Sequence, residues 1–367
     1  MPLSQVIQGE IMMYHSIRPG QTWLDTDGNR IQAHGGSILA VGDTFYWYGE
    51  NKERTTGEDE IWHWGVRCYS SKDLYNWKSE GIIIPPEPDD TSSPLHPSAM
   101  MDRPHILYHE RTKTFVAWLK IMGEPSAFAV LRSDDILGPY EMVNPRVNPC
   151  GLQVGDFDIQ ADPETGRAYL FSECPHTCIY SVELNEEYTD VVGACTRHFL
   201  HDGPPYAREA PAHFMRNGVH YLITSGTTGY YPNPSESAAA SDWHGPYVVQ
   251  GSPHVKDRSR TSFGSQITSV FRHPAKRDLY IALADRWKPE LAAQEGEAFA
   301  TGEFYDRIHE KFRKIFAPDS DFVFTEEDAR EMKINASVSD YVWLPLRFEG
   351  ERVLIDWKDE WRVEDYE

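Results

Sequence analysis

The chain has 367 residues, 40 % of them hydrophobic and 25 % charged, which excludes a disordered polymer and allows a large core. Its 57 Asp and Glu against 35 Lys and Arg leave a formal net charge of −22, which argues against nucleic acid and anionic membranes as partners. A neutral substrate suits this balance better than a phosphorylated one.

The opening stretch "MPLSQVIQGEIMMYHS" has neither a basic start nor a continuous apolar run, so it does not read as a signal peptide. No run of about 18 apolar residues follows, and the expected location is the cytoplasm. From residue 28 the chain reads as hairpins. Five short aromatic or β-branched strands follow turn signals: "GDTFYWYGE", "TKTFVAWLK", "TGRAYLFSE", "NGVHYLITSG" and "KRDLYIALAD". Their centres, Tyr46, Val116, Tyr169, Tyr221 and Tyr280, are separated by 70, 53, 52 and 59 residues. Each has a partner just upstream, "AHGGSILAV" for the first and "QITSVFRH" for the last. Three units then carry a Ser-Asp or Ser-x-Asp element followed by Trp or Gly-Pro-Tyr. Recurrence at this period predicts an all-β protein, a single five-bladed β-propeller spanning residues 1–367. The final hairpin, "YVWLPLRFEGERVLIDWKDEW", is expected to close the ring by completing the first blade.

Residues 291–338 break the pattern. Phe304, Ile308, Phe312 and Ile315 recur at helical spacing, and Thr325 with Asp328 three residues on reads as a second helix start. The expectation is a small helical insertion in the last blade. It is a candidate for packing on the barrel, covering a site, or joining copies of the chain into a homo-oligomer. The five cysteines, an odd count without a tight framework, suggest reduced thiols. Cys174 and Cys178 lack a second Cys or Cys/His pair at metal-site spacing, so no metal or other cofactor is expected.

The innermost strands of a propeller converge on one channel. The residues that open the five upstream strands are His34, Asp102, Asp156, Glu209 and Gln266, each 12 to 14 residues before its strand centre. Three are carboxylates. Like charges at one channel mouth raise one another's pKa and can leave one group protonated, as a general acid requires. Glycosidic cleavage uses such an acid with a second group that activates water. Arg103 beside Asp102 and Arg208 beside Glu209 offer the plainer alternative of ion pairs.

The stretches "IQAHGGSILAVGDTFYWYGENK", "DRPHILYHERTKTFVAW", "GDFDIQAD", "REAPAHFMRNGVHYLITSGTTGYYPN", "SFGSQITSVF" and "DRWKP" together resemble glycoside hydrolase family 43. The branch they resemble most is that of the exo-β-1,3-galactanases. The resemblance implies a five-bladed propeller that hydrolyses glycosidic bonds with inversion and acts on an oligosaccharide or polysaccharide. It assigns the general acid to Glu209 in "REAPA" and the tuning aspartate to Asp156 in "GDFD", with Asp158 as a competing choice. The first-blade base of most of the family falls in Ala33-His34-Gly35, where no carboxylate stands. In the galactanase branch a fifth-blade glutamine is thought to serve instead, through an imidic-acid tautomer, and Gln266 in "GSQIT" matches it. Asp102 stands where that branch has Glu, one methylene longer. Candidate sugar contacts are His34, Glu50, Asn51, Arg103, Tyr230, Tyr231, Arg286 and Trp287. The alternatives are an α-L-arabinofuranosidase or β-xylosidase on the same fold, and a carbohydrate-binding propeller without catalysis.

Overall fold

A computed structural model describes residues 13–323, 325, 328 and 334–367. Five sheets stand around a common axis, antiparallel except where His254–Val255 pairs parallel at the edge of the last one. Blade 1 runs outward through His34–Val41, Thr44–Glu50, Val66–Ser71 and Lys78–Ile84. The inner strands of the other four blades are Met101–His109, Phe157–Ala161, Arg208–Arg216 and Gln266–Arg272. Their partners are Thr114–Ile121, Ala168–Cys174, Val219–Gly226 and Tyr280–Arg286. The two innermost strands of each blade, ten in all, are the ones whose pairing the sequence repeat predicts.

The reason for the repeat lies between the blades. Each neighbouring pair of sheets encloses one apolar layer. Blades 1 and 2 bury Tyr48, Cys68, Ile106 and Phe115. Blades 2 and 3 share Trp118, Phe128, Phe157 and Tyr180, and blades 3 and 4 share Tyr169, Phe171, Leu222 and Trp243. Phe214 and Tyr221 of blade 4 meet Tyr280 and Leu344 of blade 5. Trp47 and Trp77 of blade 1 meet Phe271 and Trp343 of the last blade. A strand facing both neighbours must be apolar on both faces, which is why its sequence reads as a continuous aromatic run.

The tail hairpin closes the fold differently from the expectation. Leu344–Glu349 and Arg352–Asp356 complete blade 5, while blade 1 is complete from residues 34 to 84. The helical insertion separates the second and third strands of blade 5, so the hairpin is the displaced outer half of that blade. The ring is instead tied by Ile17, which exchanges backbone hydrogen bonds with Trp361 (2.9 and 3.0 Å). Across the blade seam Ser269 Oγ donates to Ser37 Oγ at 3.0 Å.

The insertion begins as expected. Helices α1 (Leu291–Glu295), α2 (Glu297–Thr301) and α3 (Glu303–Ile315) follow one another. Phe304, Ile308 and Phe312 of α3 are buried against Tyr231 and Phe299. Thr325 and Asp328 cap each other, Thr325 Oγ1 accepting from the Asp328 N–H at 3.1 Å and donating to its carboxylate at 2.6 Å. The rest of the expected second helix lies outside the described residues.

The thiol expectation needs correction. Cys150 and Cys195 form a disulfide across 45 residues, while Cys68, Cys174 and Cys178 are free. Cys150 lies in the turn Pro149–Gly151, and Cys195 in the outermost strand of blade 3, Val191–His198. Their approach is made by blade packing, which the spacing of cysteines along the chain does not reveal.

Candidate active site

Four of the five inner strands are irregular at their first residues. The pairing register shifts between His34 and Ser37, Asp102 and His105, Glu209 and Ala212, and Ile267 and Ser269. Such bulges re-aim side chains. In three blades the residue after the opening position has positive φ: Gly35 (62°), Arg103 (53°) and Ala210 (48°). Only glycine takes this conformation without strain, so Arg103 and Ala210 hold strained backbone beside the two flanking carboxylates. The two glycines of "AHGGS" have separate causes. A Cβ on Gly35 would stand 2.3 Å from Glu50 Oε1, and one on Gly36 would stand 1.8 Å from the Tyr48 carbonyl.

Four of the five opening residues, all but His34, converge on a cavity of about 640 Å³. Glu50, Asp102, Arg103, Lys120, Asp156, Glu209, Gln266, Trp62, Tyr230 and Trp287 all line it. Eight of the twelve residues expected from the sequence are therefore together: Glu209, Gln266, Asp156, Asp102, Glu50, Arg103, Tyr230 and Trp287.

Arg103 ties three blades. Its Nη2 lies 2.8 Å from Asp156 Oδ2 and donates to Gln266 Oε1 at 2.6 Å, while its backbone N–H donates to Glu50 Oε1 at 2.8 Å. Lys120 Nζ bridges Asp156 Oδ1 (2.7 Å) and Asp102 Oδ2 (3.1 Å). Asp102 Oδ1 further accepts from Trp62 Nε1 at 2.6 Å and from Lys52 Nζ at 3.4 Å. Gln266 Nε2 donates to Glu209 Oε1 (3.0 Å) and Ser225 Oγ (2.9 Å), and Trp287 Nε1 donates to Gln266 Oε1 (3.2 Å).

This network sorts the carboxylates. Burial pushes Asp102 up, but Lys120, Lys52 and the Trp62 N–H outweigh it and hold the group below its usual range. For Asp156 burial is likewise outweighed, here by Arg103 and Lys120. Glu209 goes the other way. Burial raises it well above the usual carboxylate value, and the charges of Glu173 and Asp156 add to the rise. Glu50 is pushed up to about 7 by burial, only partly offset by Lys52 at 2.8 Å. One neutral acid thus faces two ionised carboxylates, the division of labour that acid-assisted bond cleavage needs.

Four expected residues stand elsewhere. His34 is wholly buried, with Nδ1 2.8 Å from Asp285 Oδ1 and its ring stacked on Tyr341, so it supports the seam and does not reach sugar. Asn51 is also wholly buried and caps its own loop, accepting the Glu53 N–H at 3.1 Å. Arg286 donates to the backbone carbonyls of Phe263 (2.8 Å) and Gly20 (3.4 Å), away from the cavity. Tyr231 packs on Phe304 at 6.0 Å and lines the neighbouring cavity instead. Asp158 is buried beneath the site and accepts the His213 N–H at 2.7 Å, which leaves Asp156 as the aspartate facing the cavity. Arg208 binds Thr224, not Glu209.

Glu209 and Gln266 do not face each other across the channel. Blades 4 and 5 are neighbours in the ring, so the two groups touch at 3.0 Å. An inverting pair needs roughly 6.5–9.5 Å.

Several site residues escaped the reading. Lys120, Ser225 and Asp285 pair directly with Asp102, Glu209 and Gln266, as Glu50 pairs with His34. In blade 3 the Glu173 N–H donates to the Asp156 carbonyl at 2.8 Å. The signal was the polar residue ending each aromatic strand, a second ring beside the first. Trp62 carries no such register and lies in a loop. Among the described residues no three His, Cys, Asp or Glu side chains converge as a metal-ligand set.

The model of glycosyl hydrolases family 43 matches residues 31–299. The chain belongs to glycoside hydrolase family 43. It is therefore a glycoside hydrolase. It is similar to a solved family 43 β-1,3-galactosidase at 26 % identity and TM-score 0.75, over 96 % of this chain and 64 % of that one. It is similar to a second β-1,3-galactosidase, solved with galactodeoxynojirimycin, at 27 % identity and TM-score 0.74, over 95 % of this chain and all of that one. An exo-β-1,3-galactanase from Phanerochaete chrysosporium, with β-1,3-galactotriose, aligns at 26 % identity and TM-score 0.72. That match covers 95 % of this chain and 68 % of the fungal one. No match was found among curated protein sequences.

Proposed function

We propose that this family 43 hydrolase is exo-acting and inverting and removes terminal β-linked galactosyl residues, of the β-1,3-galactan or galacto-oligosaccharide type. The observation that carries the proposal is Glu209, half-buried and raised in a cavity with ionised Asp156 and with Gln266. The galactosidases and galactanase to which the chain is similar support the choice of sugar.

In this reading Glu209 gives its proton to the glycosidic oxygen as the bond from that oxygen to the anomeric carbon breaks. Water adds to the same carbon from the opposite face, and its proton passes to the base. Asp156 stays ionised and keeps Glu209 protonated. Gln266 is the first choice of base. Its Oε1 accepts from Arg103 and Trp287 and its Nε2 touches the acid Glu209 at 3.0 Å, so taking a proton from water on the opposite face requires it to exchange one of the first two partners and to move away from Glu209.

A second reading places the base on Glu50. Its carboxyl lies over Gly35, in the first blade where the family's usual base belongs, and it lines the cavity with a pKa of about 7. Hydrolysis of β-1,3-galactobiose with comparison of Glu50→Gln and Gln266→Ala tests the function and separates the two bases.

The expected cytoplasmic location is at odds with the Cys150–Cys195 disulfide, a bond favoured in oxidising compartments. We therefore propose an oxidising compartment.

A further inference from the structure

A second cavity, of about 990 Å³, adjoins the catalytic one. Trp62, Gly229 and Tyr230 line both. The rings of Trp62 and Tyr230, 6.5 Å apart, stand at the boundary. Beyond it the lining changes character. The catalytic cavity is built from charged groups. The second presents Ile61, Tyr231, Phe312 and Ile334 beside the two shared rings.

Asp59, Glu60 and Lys288 also line it, Lys288 with its ammonium 4.9 Å over the Tyr231 ring, and the two threonine hydroxyls are committed. Thr55 Oγ1 donates to the Trp62 carbonyl at 2.8 Å, and Thr228 Oγ1 to the Tyr231 carbonyl at 2.7 Å. Asp59 accepts the Ile61 N–H at 3.0 Å. A hydroxyl-rich ring placed against the apolar part of this lining would give up hydrogen bonds to water and find few replacements, which disfavours it. An apolar group gains by leaving water for the same surface.

The occupant follows from position. Tyr230 lies in the loop after the second strand of blade 4, the blade that carries Glu209. A group bonded to a sugar in the catalytic cavity has this cavity at its side. Phe312 comes from α3, so one wall belongs to the insertion and not to the propeller repeat.

We infer that this cavity is a leaving-group site that takes an apolar or aryl aglycone, so that galactosides of apolar alcohols are substrates beside the galactosyl-linked ones. The inference rests on the proposed function, since it uses the same sugar and the same acid.

The test is kcat/KM for methyl, butyl and hexyl β-D-galactopyranosides, whose leaving groups differ little in acidity, beside β-1,3-galactobiose and β-1,3-galactotriose. The expected result is a rise of at least tenfold from methyl to hexyl. Phe312→Ala and Ile61→Ser should each cut that rise several-fold while the methyl galactoside is unaffected. Ile61 is a half-buried loop residue, so its variant stands in if Phe312→Ala disturbs the insertion. A flat alkyl series with galactobiose still cleaved overturns the inference and leaves the function standing. A larger gain from galactobiose to galactotriose than from methyl to hexyl also overturns it, in favour of a further sugar. No turnover of any galactoside removes both.

Discussion

Replacing Glu209 by glutamine should remove one proton and little else. The native side chain is held neutral by burial and by the charges of Glu173 and Asp156, so the substitution changes no charge at working pH. The contact from Gln266 Nε2, 3.0 Å long, is kept by the new amide oxygen. Folding stability should therefore shift by less than about 1 kcal/mol, within the range of a retained hydrogen bond. Catalysis should not survive so well. A general acid contributes about 10²–10⁴-fold, or about 3–5 kcal/mol on the barrier. The upper end applies to a disaccharide, whose departing alkoxide needs the proton. A nitrophenyl galactoside, with a leaving group stable as an anion, should lose much less. The assay is steady-state hydrolysis of both substrates across pH. Wild-type activity should fall as pH rises through the raised Glu209 pKa, because the acid loses its proton there. The variant should lack that alkaline limb, with KM nearly unchanged. Disaccharide turnover within tenfold of wild type, or a rise in KM at constant kcat, would refute the role given to Glu209.

Gln266→Ala should lower kcat by 10² or more and Glu50→Gln by less than tenfold if Gln266 is the base. The opposite order, with loss of an acid limb near pH 7 in Glu50→Gln, would move that role to Glu50. Glu173 is raised to about 7 by burial and by Asp156, so the folded chain binds more protons than the unfolded one between the ordinary carboxylate value and 7. Its contribution to stability accordingly falls as pH rises through that window, and Glu173→Gln should raise stability at pH 8 by up to about 3 kcal/mol, with no gain near pH 4. A thermal melt at the two pH values checks this, and the alkaline activity limb should move to lower pH in the same variant. Cys150→Ser should cost up to about 4 kcal/mol by the loop-entropy estimate. A melt unchanged by that substitution would show that the bond contributes nothing to stability.

The fold was legible because every blade interface demands the same apolar strand, and Tyr46, Val116, Tyr169, Tyr221 and Tyr280 mark that demand at nearly even spacing. The inner ring was legible for the same reason, since Asp102, Asp156, Glu209 and Gln266 open equivalent strands. What stayed hidden depends on contacts across blades. Lys120 neutralises Asp102 and Asp156 from a neighbouring strand, which turns three like charges into two ionised groups and one neutral acid. His34 and Arg286 occupy suggestive positions in the chain, but their side chains are spent on Asp285 and on backbone carbonyls. The tail hairpin was misplaced by one blade because the helical insertion separates it from the sheet it finishes. The "AHGGS" glycines record close approach: the Glu50 carboxylate at one, the Tyr48 carbonyl at the other.

The central claim is acid-assisted release of a β-linked galactose with inversion. Anomer-resolved proton NMR of β-1,3-galactobiose during the first minutes of hydrolysis tests it most directly. The account predicts α-galactose as the first product from the non-reducing end, with the β-anomer appearing only by mutarotation. Initial release of β-galactose, or no cleavage at all, would contradict it.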